Sequence, residues 1–219
     1  LRVCDTAVVV VDSVAGVEIG TERVWAFCEE FGVPRMLFIN KMDRADADAA
    51  GVLEMARDRF GRGAIPLQLP VDAGEGFSRV VDLVSMQLVT HADGKATRGG
   101  IPADLEDEAT AARAQLVEAV AETDEALMER YFGDGDLSAD DLTAGLRAAV
   151  ASKELVPVLY GDAYNNVGTG ELLDAIARFG VSPTDAAGLK YKDAGGEQVV
   201  LEAKADAPLA ALVFKIISE

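Results

Sequence analysis

Two uninterrupted apolar runs, residues 7–11 and residues 36–39, dominate the hydrophobic pattern of the first part of the chain. Neither shows the polar alternation of a half-exposed strand, so each is typical of a strand buried on both faces of a parallel sheet. Between them, residues 21–31 place apolar side chains at helical spacing and end at Gly32. A second helix is predicted over residues 47–60. This order of elements is that of a doubly wound α/β sheet, which binds ligands at the carboxyl ends of its strands.

The apolar positions of these two helices identify the faces that we expect to pack on the sheet. They are Val24, Phe27, Cys28 and Phe31 in the first helix, and Val52, Leu53, Ala56 and Phe60 in the second. Trp25 on the first helix is most simply a core residue. The two cysteines of the chain, Cys4 and Cys28, are interpreted as buried thiols rather than a disulfide.

From about residue 65 the pattern changes. Residues 66–70 and 80–90 predict short strands with a turn at Gly74 and Gly76, which favours an antiparallel ribbon over another parallel crossover. Residues 90–100 are polar and contain glycine, so they predict a loop.

Two helices are predicted next. The first covers residues 104–132 and is capped by Asp104, and the second runs from Ser138 to about residue 153. One face of the first helix is dense in acid and consists of Glu106, Asp107, Glu108, Glu118, Glu122, Asp124, Glu125 and Glu129. This face is either a plainly solvated surface or a binding surface for a basic partner.

The α/β pattern returns with a predicted strand over residues 156–160. The helix that follows has an apolar face formed by Leu172, Leu173, Ile176 and Ala177. We therefore predict one parallel-sheet domain made of residues 1–64 and 156–183, with residues 65–155 inserted into it as a smaller subdomain.

The last part of the chain, residues 184–219, predicts a linker and the start of a second domain. It is glycine-rich as far as Gly196. Residues 209–217 are strongly apolar and predict a strand, whose only visible partner is the segment 198–203.

Composition limits the possible partners. The 219 residues include 38 acidic and 20 basic side chains, giving a formal net charge of −18, which disfavours membranes and direct, sequence-specific DNA binding. No run reaches the roughly 18 uncharged apolar residues of a membrane span, and no basic-then-apolar leader opens the chain. We therefore expect a cytoplasmic protein. Because the sequence begins at Leu1, without methionine, we also expect a fragment.

The clearest candidate chemistry lies where the second apolar strand ends. It runs directly into Asn40, Lys41, Met42 and Asp43, a tetrapeptide of the form Asn-Lys-x-Asp. A carboxylate such as Asp43 can accept hydrogen bonds from the ring N–H and the exocyclic amine of guanine, and adenine lacks this pair of donors. Lys41 can cover the base with its aliphatic stem, and Asn40 can tie the loop to neighbouring backbone. The alternative is a polar turn that closes a strand.

The sequence offers no phosphate-binding motif beside this loop. A P-loop needs glycine, four residues, then Gly-Lys and Ser or Thr, but the pair Gly94-Lys95 follows Val89 at the first position and precedes Ala96. The one histidine, His91, is interpreted as a loop surface residue rather than a catalytic base, and a single histidine cannot form a His-based metal cluster. We assign no catalytic residue and no metal ligand.

Several segments together resemble the later half of the GTPase domain of bacterial elongation factor G and of elongation factor G-like translational GTPases. They are residues 12–18 (DSVAGVE), 32–35 (GVPR), 38–44 (FINKMDR), 68–70 (QLP), 80–83 (VVDL), 157–161 (PVLYG), 172–175 (LLDA) and 208–215 (PLAALVFK). The resemblance extends over essentially the whole chain. It implies a partial doubly wound P-loop-type GTPase sheet with an inserted α/β subdomain and the first strand of a β-barrel domain.

The resemblance also implies a set of site residues. The guanine-specificity motif would consist of Asn40, Lys41 and Asp43, with Gly161, Asp162 and Ala163 as its second half. The family usually has Gly-Ser-Ala in the second half. Asp162 is therefore a departure, which would place an acceptor beside the carbonyl edge of guanine.

By the same resemblance, the P-loop, both switch regions and the Mg²⁺ ligands would lie upstream of Leu1, in a parent protein that binds GTP or GDP. Two hypotheses follow. In the first, the chain is a piece of a GTP-binding translation factor that acts on the ribosome, and it supplies the guanine-specificity loops but is inactive alone. In the second, it is a nucleotide-independent acidic module that binds a ribosomal stalk protein.

Overall fold

The computed structural model describes residues 1, 3–186, 189–192, 195–201, 203–206, 211 and 213–216. The elements are β1 (Ala7–Asp12), α1 (Ile19–Phe31), β2 (Arg35–Asn40), α2 (Ala49–Phe60), β3 (Ala64–Pro66), β4 (Gln68–Val71), β5 (Arg79–Asp82), β6 (Gln87–Ala92), β7 (Lys95–Gly99), α3 (Ala103–Ala121), α4 (Glu125–Asp134), α5 (Ala139–Ser152), β8 (Val156–Tyr160), α6 (Thr169–Phe179), β9 (Leu189–Lys192) and β10 (Gln198–Leu201). Among the helices of these described ranges, none combines the length and the apolar character needed to cross a membrane.

A parallel sheet in the strand order β1-β2-β8-β3 forms the centre of the fold. Residues 35–39 of β2 and all five residues of β8 are buried, because helices or the second sheet cover both faces of these apolar strands. The predicted α/β class with a parallel sheet is confirmed.

Alternate side chains of β2 enter two different cores. Met36 and Phe38 share a buried cluster with residues of α3, α5 and α6, whereas Leu37 and Ile39 share one with residues of α1 and α2. Since α3 and α5 lie inside the predicted insertion, that segment completes the core on one side of the parallel sheet.

The predicted insertion begins within this sheet rather than after it. Strand β3 pairs in parallel with β8, so that Ala64 lies opposite Val156 and Pro66 opposite Val158. Ile65 is 5% exposed. Residues 65 and 66 therefore extend the main sheet, because their apolar side chains are buried there, and the remaining domain boundaries stay predictions.

The strands that follow form an antiparallel sheet in the order β4-β5-β6-β7. The prediction of a loop over residues 90–100 is wrong, because the segment forms a hairpin. Asp93 and Gly94, with φ values of 51° and 71°, make the tight turn that joins β6 to β7. Every residue of β7 is exposed, so the strand has no hydrophobic alternation from which it could be recognised.

The long helix predicted over residues 104–132 is two helices. The chain leaves α3 after Ala121, and the Asp124 carboxylate accepts hydrogen bonds from the backbone N–H groups of Ala126 and Leu127 at the start of α4. This cap stabilises a new helix start. At the other end, Pro102 rather than Asp104 is the N-cap residue of α3.

Helix α1 buries only part of the face that the sequence predicts. Its side chains Val24, Phe27 and Phe31 are 39%, 38% and 40% exposed. Trp25 and Cys28, both predicted to be core residues, are buried, and the Trp25 ring stacks at 3.9 Å on the ring of Phe60 from α2. Burial of the largest side chain of the helix against α2 thus leaves the phenylalanine stripe at the edge of the core.

The region predicted to be a linker contains the hairpin of β9 and β10. Of the strand predicted over residues 209–217, Leu209, Ala210, Leu212 and Ile217 lie outside the described residues. Residues 211 and 213–216 are described and are not in a strand. The start of a β-barrel domain therefore stays a prediction.

Candidate functional site

Three loops meet at the carboxyl edge of the parallel sheet. They follow Asp12 at the end of β1, Asn40 at the end of β2 and Tyr160 at the end of β8. Asp12 lies opposite Asn40, and Ile39 lies opposite Tyr160. The two halves of the predicted guanine motif, far apart in sequence, are therefore neighbours in space, as this fold class requires.

Asn40 joins the two halves directly. Its side-chain Oδ1 accepts a hydrogen bond of 2.9 Å from the backbone N–H of Ala163. The sequence predicts that Asn40 ties its loop to neighbouring backbone, and this hydrogen bond identifies that backbone as the second half of the motif.

Lys41 is held at both its backbone and its side chain. Its φ is 64°, in the left-handed region, and its carbonyl accepts a hydrogen bond of 2.7 Å from Oγ of the fully buried Ser13. Its Nζ lies 2.5 Å from Oδ2 of Asp12. The aliphatic stem of Lys41 is thereby directed along the edge of the sheet.

The ion pair with Lys41 also changes the ionisation of Asp12. The hydrogen bond from Lys41, followed by that from the Val14 N–H, lowers the pKa of Asp12 from 3.8 to about 2, so Asp12 is charged at neutral pH. Asp12 and Ser13 were not predicted as site residues. Their position at the end of the strand adjacent to β2 is the feature from which they could have been found.

Asp43 presents a free carboxylate. It is half-buried, and within the described residues we find neither a hydrogen-bond nor an ion-pair partner for its oxygens. The preceding residue is fixed, because the N–H of buried Met42 donates to the carbonyl of Gly161 and its carbonyl accepts from the N–H of Gly74, at 3.1 and 2.8 Å. Asp43 thus offers two acceptor oxygens from an anchored loop.

Gly161 is required by close packing. A Cβ at this position would lie 2.5 Å from the Phe38 ring and 2.5 Å from the carbonyl oxygen of Val167. The loop after β8 can therefore pass over β2 only with glycine at this point.

Asp162 serves its own loop. It is 1% exposed, and its carboxylate accepts hydrogen bonds from the backbone N–H of Tyr164, at 3.0 Å, and from the side chain of Asn165. The expectation that this carboxylate lies beside a base is at odds with its position. It is directed into the turn because backbone and amide donors there satisfy its charge.

A cavity of about 250 Å³ lies beside Asp43, and its walls include His91, Asn165 and Asn166. The interpretation of His91 as a loop surface residue is wrong, because the residue lies in β6 and its side chain is 7% exposed. Its position next to the predicted base-binding loops could not be inferred from local sequence, since it depends on how the antiparallel sheet packs against α6.

No group of three or more His, Cys, Asp or Glu side chains in the described part of the chain is arranged to hold a metal ion.

Comparison with known proteins gives a family and a related structure. The model for the family described as elongation factor Tu GTP binding domain matches residues 1–180, a range that includes all six predicted site residues. A crystal structure of a protein from Thermus thermophilus matches with a TM-score of 0.77 and 29% sequence identity, over 84% of this chain and 28% of that chain. The chain thus corresponds to less than a third of the length of that relative.

Proposed function

The chain belongs to the elongation factor Tu GTP binding domain family, and from this we propose that its loops 40–43 and 161–163 bind the base of a guanine nucleotide. The observation that carries the proposal is the free, half-buried carboxylate of Asp43 beside the hydrogen bond that joins Asn40 to Ala163.

The hydrogen-bonding groups of Asp43 fit guanine. Its two oxygens match the ring N–H and the exocyclic amine of the base, a pair of donors that adenine does not have. A site that buries this carboxylate against adenine would leave it unpaired, which costs about 1–3 kcal/mol or more. Asp43 is thus the residue that selects guanine.

Lys41 and Asn40 have supporting roles in this proposal. The Lys41 stem, with its ammonium group directed to Asp12, forms an apolar wall for one face of the base. Asn40 keeps the second loop at a fixed distance from the first. Within the second loop, Gly161 allows the close approach of the backbone, Asp162 shapes the turn, and Ala163 lies exposed at the rim.

We propose further that the chain is a piece of an elongation factor G-like protein of the cytoplasm that hydrolyses GTP on the ribosome. The phosphates and Mg²⁺ would then be held by residues outside the 219-residue sequence, since no P-loop pattern occurs within it. The structural relative, of which this chain covers 28%, supports a longer parent.

Saturation-transfer NMR with GDP and ADP tests the guanine site, because the method detects weak ligands. We expect transfer to GDP that exceeds transfer to ADP, and loss of this preference in Asp43→Ala. The control is Asp46→Ala, which removes an exposed acid from the same loop and should keep the preference. Equal transfer to both nucleotides in the wild-type chain would count against a guanine site.

An acidic surface formed by α3, α4 and the turn between them favours a second binding function. The eight carboxylates that define it, Glu106, Asp107, Glu108, Glu118, Glu122, Asp124, Glu125 and Glu129, are all exposed, and none has an ion-pair partner among the described residues. We propose that this surface binds a basic protein partner, which the family resemblance suggests is a ribosomal stalk protein.

Charge reversal tests this second proposal. Changing Glu118, Glu122 and Glu125 to lysine should weaken binding of the stalk protein, most strongly at low salt. The matched control reverses three exposed acids on other elements, namely Glu30, Asp58 and Glu75. Equal loss in both triple variants would mean that net charge, and not this surface, governs binding.

A further inference from the structure

His91, the only histidine of the chain, connects the antiparallel sheet to the loop of residues 161–163. Its Nε2 lies 2.9 Å from Oε2 of Glu171 and 3.3 Å from the backbone nitrogen of Gly168. Its Nδ1 lies 3.2 Å from the carbonyl oxygen of Ser78. The side chains of His91 and Glu171 are each 7% exposed. The buried imidazole thus has one partner beside the antiparallel sheet, Ser78, and two at the start of α6, Glu171 and Gly168.

A short chain of backbone contacts connects Gly168, the neighbour of His91, to the loop of residues 161–163. Gly168 follows Val167, which exchanges two backbone hydrogen bonds of 2.9 and 2.8 Å with Asp162. The next residue, Ala163, is the one whose N–H is held by Asn40. A displacement of Gly168 is therefore transmitted to Ala163 through the turn that the hydrogen bonds between Asp162 and Val167 close.

Gly168 has little freedom to absorb such a displacement. Its φ is 77°, and a Cβ at this position would lie 2.4 Å from the carbonyl oxygen of Tyr160. Because the backbone at Gly168 is in close contact with the end of β8, a change in its hydrogen bonding is passed on along the loop.

The protonation state of His91 decides which group its Nε2 binds. In the imidazolium form, Nδ1–H donates to the Ser78 carbonyl and Nε2–H donates to Glu171. In the neutral form with the proton on Nδ1, Nε2 has a lone pair that accepts from the N–H of Gly168 and faces the carboxylate without a proton between them. The two forms thus exchange Glu171 for Gly168 as the partner of Nε2.

The charges around the ring favour the imidazolium form. The hydrogen bond to Glu171 raises the pKa of His91 above its usual 6.5, against the opposing effect of burial. Burial raises the pKa of Glu171, but the hydrogen bond from His91 and the smaller effects with it hold that pKa below its usual 4.5. Other charged groups nearby are Arg98 on β7, which lowers the pKa of His91, Asp43 and Asp93, which line a cavity with His91, and Asp82, Asp174 and Arg178, which line a cavity with Glu171.

These directions fix the pH range in which the ion pair stabilises the fold. The contribution of a histidine with a raised pKa is complete below 6.5 and is lost as pH rises through the folded-state value. The contribution of Glu171, whose pKa is lowered, is complete above 4.5 and is lost as pH falls through its folded-state value.

We propose that His91 is a positioning residue that makes the conformation of loop 161–168 depend on its protonation state, so that the antiparallel sheet controls one half of the base site. The proposal rests on the proposed function, because the loop matters for binding only if it contacts the guanine base. The loop coupling itself does not require a nucleotide.

A pH titration of the full chain by NMR tests the coupling. Since there is one histidine, one Cε1–H resonance reports its ionisation, and ¹⁵N labelling reports the amides of Gly168 and Ala163. We expect all three to shift with one common midpoint that lies above the usual 6.5. Amide shifts of Gly168 and Ala163 that stay constant across the histidine midpoint would overturn the proposal.

Substitution of the partner provides a second test. Glu171→Gln removes the charge but keeps the shape, so the three midpoints should move together to lower pH. The matched control Glu154→Gln, at an exposed glutamate before the start of β8, should leave them in place. An unchanged midpoint in Glu171→Gln would contradict the proposal, and the wild-type titration is decisive even if this variant does not fold.

Addition of GDP at a pH on either side of the midpoint separates the two proposals. Saturation transfer to GDP that differs between the two pH values supports a positioning role of His91 in nucleotide binding. Three coincident midpoints without any GDP signal would support the coupling and contradict the guanine site. GDP binding with a Gly168 amide that does not titrate would support the guanine site and contradict the coupling.

Discussion

Replacement of Gly161 by alanine tests most directly how the loop after β8 packs against β2. The added Cβ would lie 2.5 Å from both the Phe38 ring and the Val167 carbonyl oxygen, closer than any unstrained carbon contact. Phe38 is 2% exposed, and the Val167 carbonyl accepts the N–H of Asp162 at 2.9 Å. Relief of the clash therefore requires either a shift of a packed ring or opening of the 162–167 turn.

The loss of stability expected for Gly161→Ala can be estimated from the cost of overpacking a core. Overpacking a well-packed core costs about 1–3 kcal/mol. For a chain of this size, about 1 kcal/mol changes the melting temperature by roughly 2–4 °C, so Gly161→Ala should lower it by roughly 2–12 °C. No such loss is expected for the matched control Gly170→Ala in α6, because its Cβ would meet nothing within 4 Å. Alanine is the better helix former there by about 1 kcal/mol.

Thermal unfolding followed by circular dichroism measures both variants under the same conditions. Hydrogen exchange at the Ala163 amide adds a local measurement, since opening of the turn should expose it. Equal melting temperatures for Gly161→Ala and Gly170→Ala would refute the close-packing argument.

Three other predictions concern the same edge of the sheet. Asp12→Asn keeps an oxygen that can accept from the N–H of Val14 but removes the charge that pairs with Lys41. Because the pKa of Asp12 is lowered from 3.8 to about 2 in the folded chain, the stability difference from wild type should be complete above pH 3.8 and should vanish as pH falls through about 2, as measured by thermal unfolding. Asn40→Ala should speed amide exchange at Ala163 and cost about 1 kcal/mol, the net value of one hydrogen bond, whereas Asn40→Asp, which keeps an acceptor, should cost less. The 219-residue chain alone should release no phosphate from GTP and should bind GDP with roughly millimolar affinity or weaker, because base contacts without phosphate contacts leave little net binding energy; micromolar binding in calorimetry would contradict this.

The parallel sheet was predictable because its strands are buried on both faces. Such strands need continuous apolar runs, and β2 and β8 have them. Strand β7 has no buried residue, so the Asp93-Gly94 turn is the only sequence feature from which the strand could be predicted. The break between α3 and α4 was hidden for a different reason, since the apolar spacing continues through it and only the cap by Asp124 interrupts the helix.

The candidate site was predictable in its residue types and less so in its contacts. The pattern of Asn40, Lys41 and Asp43 could be recognised because it is contiguous in sequence. The ion pair of Lys41 with Asp12 and the burial of His91 against Glu171 depend on which strands and helices are neighbours. Those contacts join residues 29 and 80 positions apart, and local pattern carries no information about them.

The central claim, that the Asp43 carboxylate selects guanine, is tested most directly by exchanging its hydrogen-bonding groups. Asp43→Asn replaces one acceptor oxygen by an amide donor, which fits xanthine, since that base has a carbonyl where guanine has its exocyclic amine. In saturation-transfer NMR we expect the wild-type chain to prefer GDP over xanthosine diphosphate and the variant to show the reverse preference. The same preference in both proteins would contradict the assignment of Asp43 as the residue that selects the base.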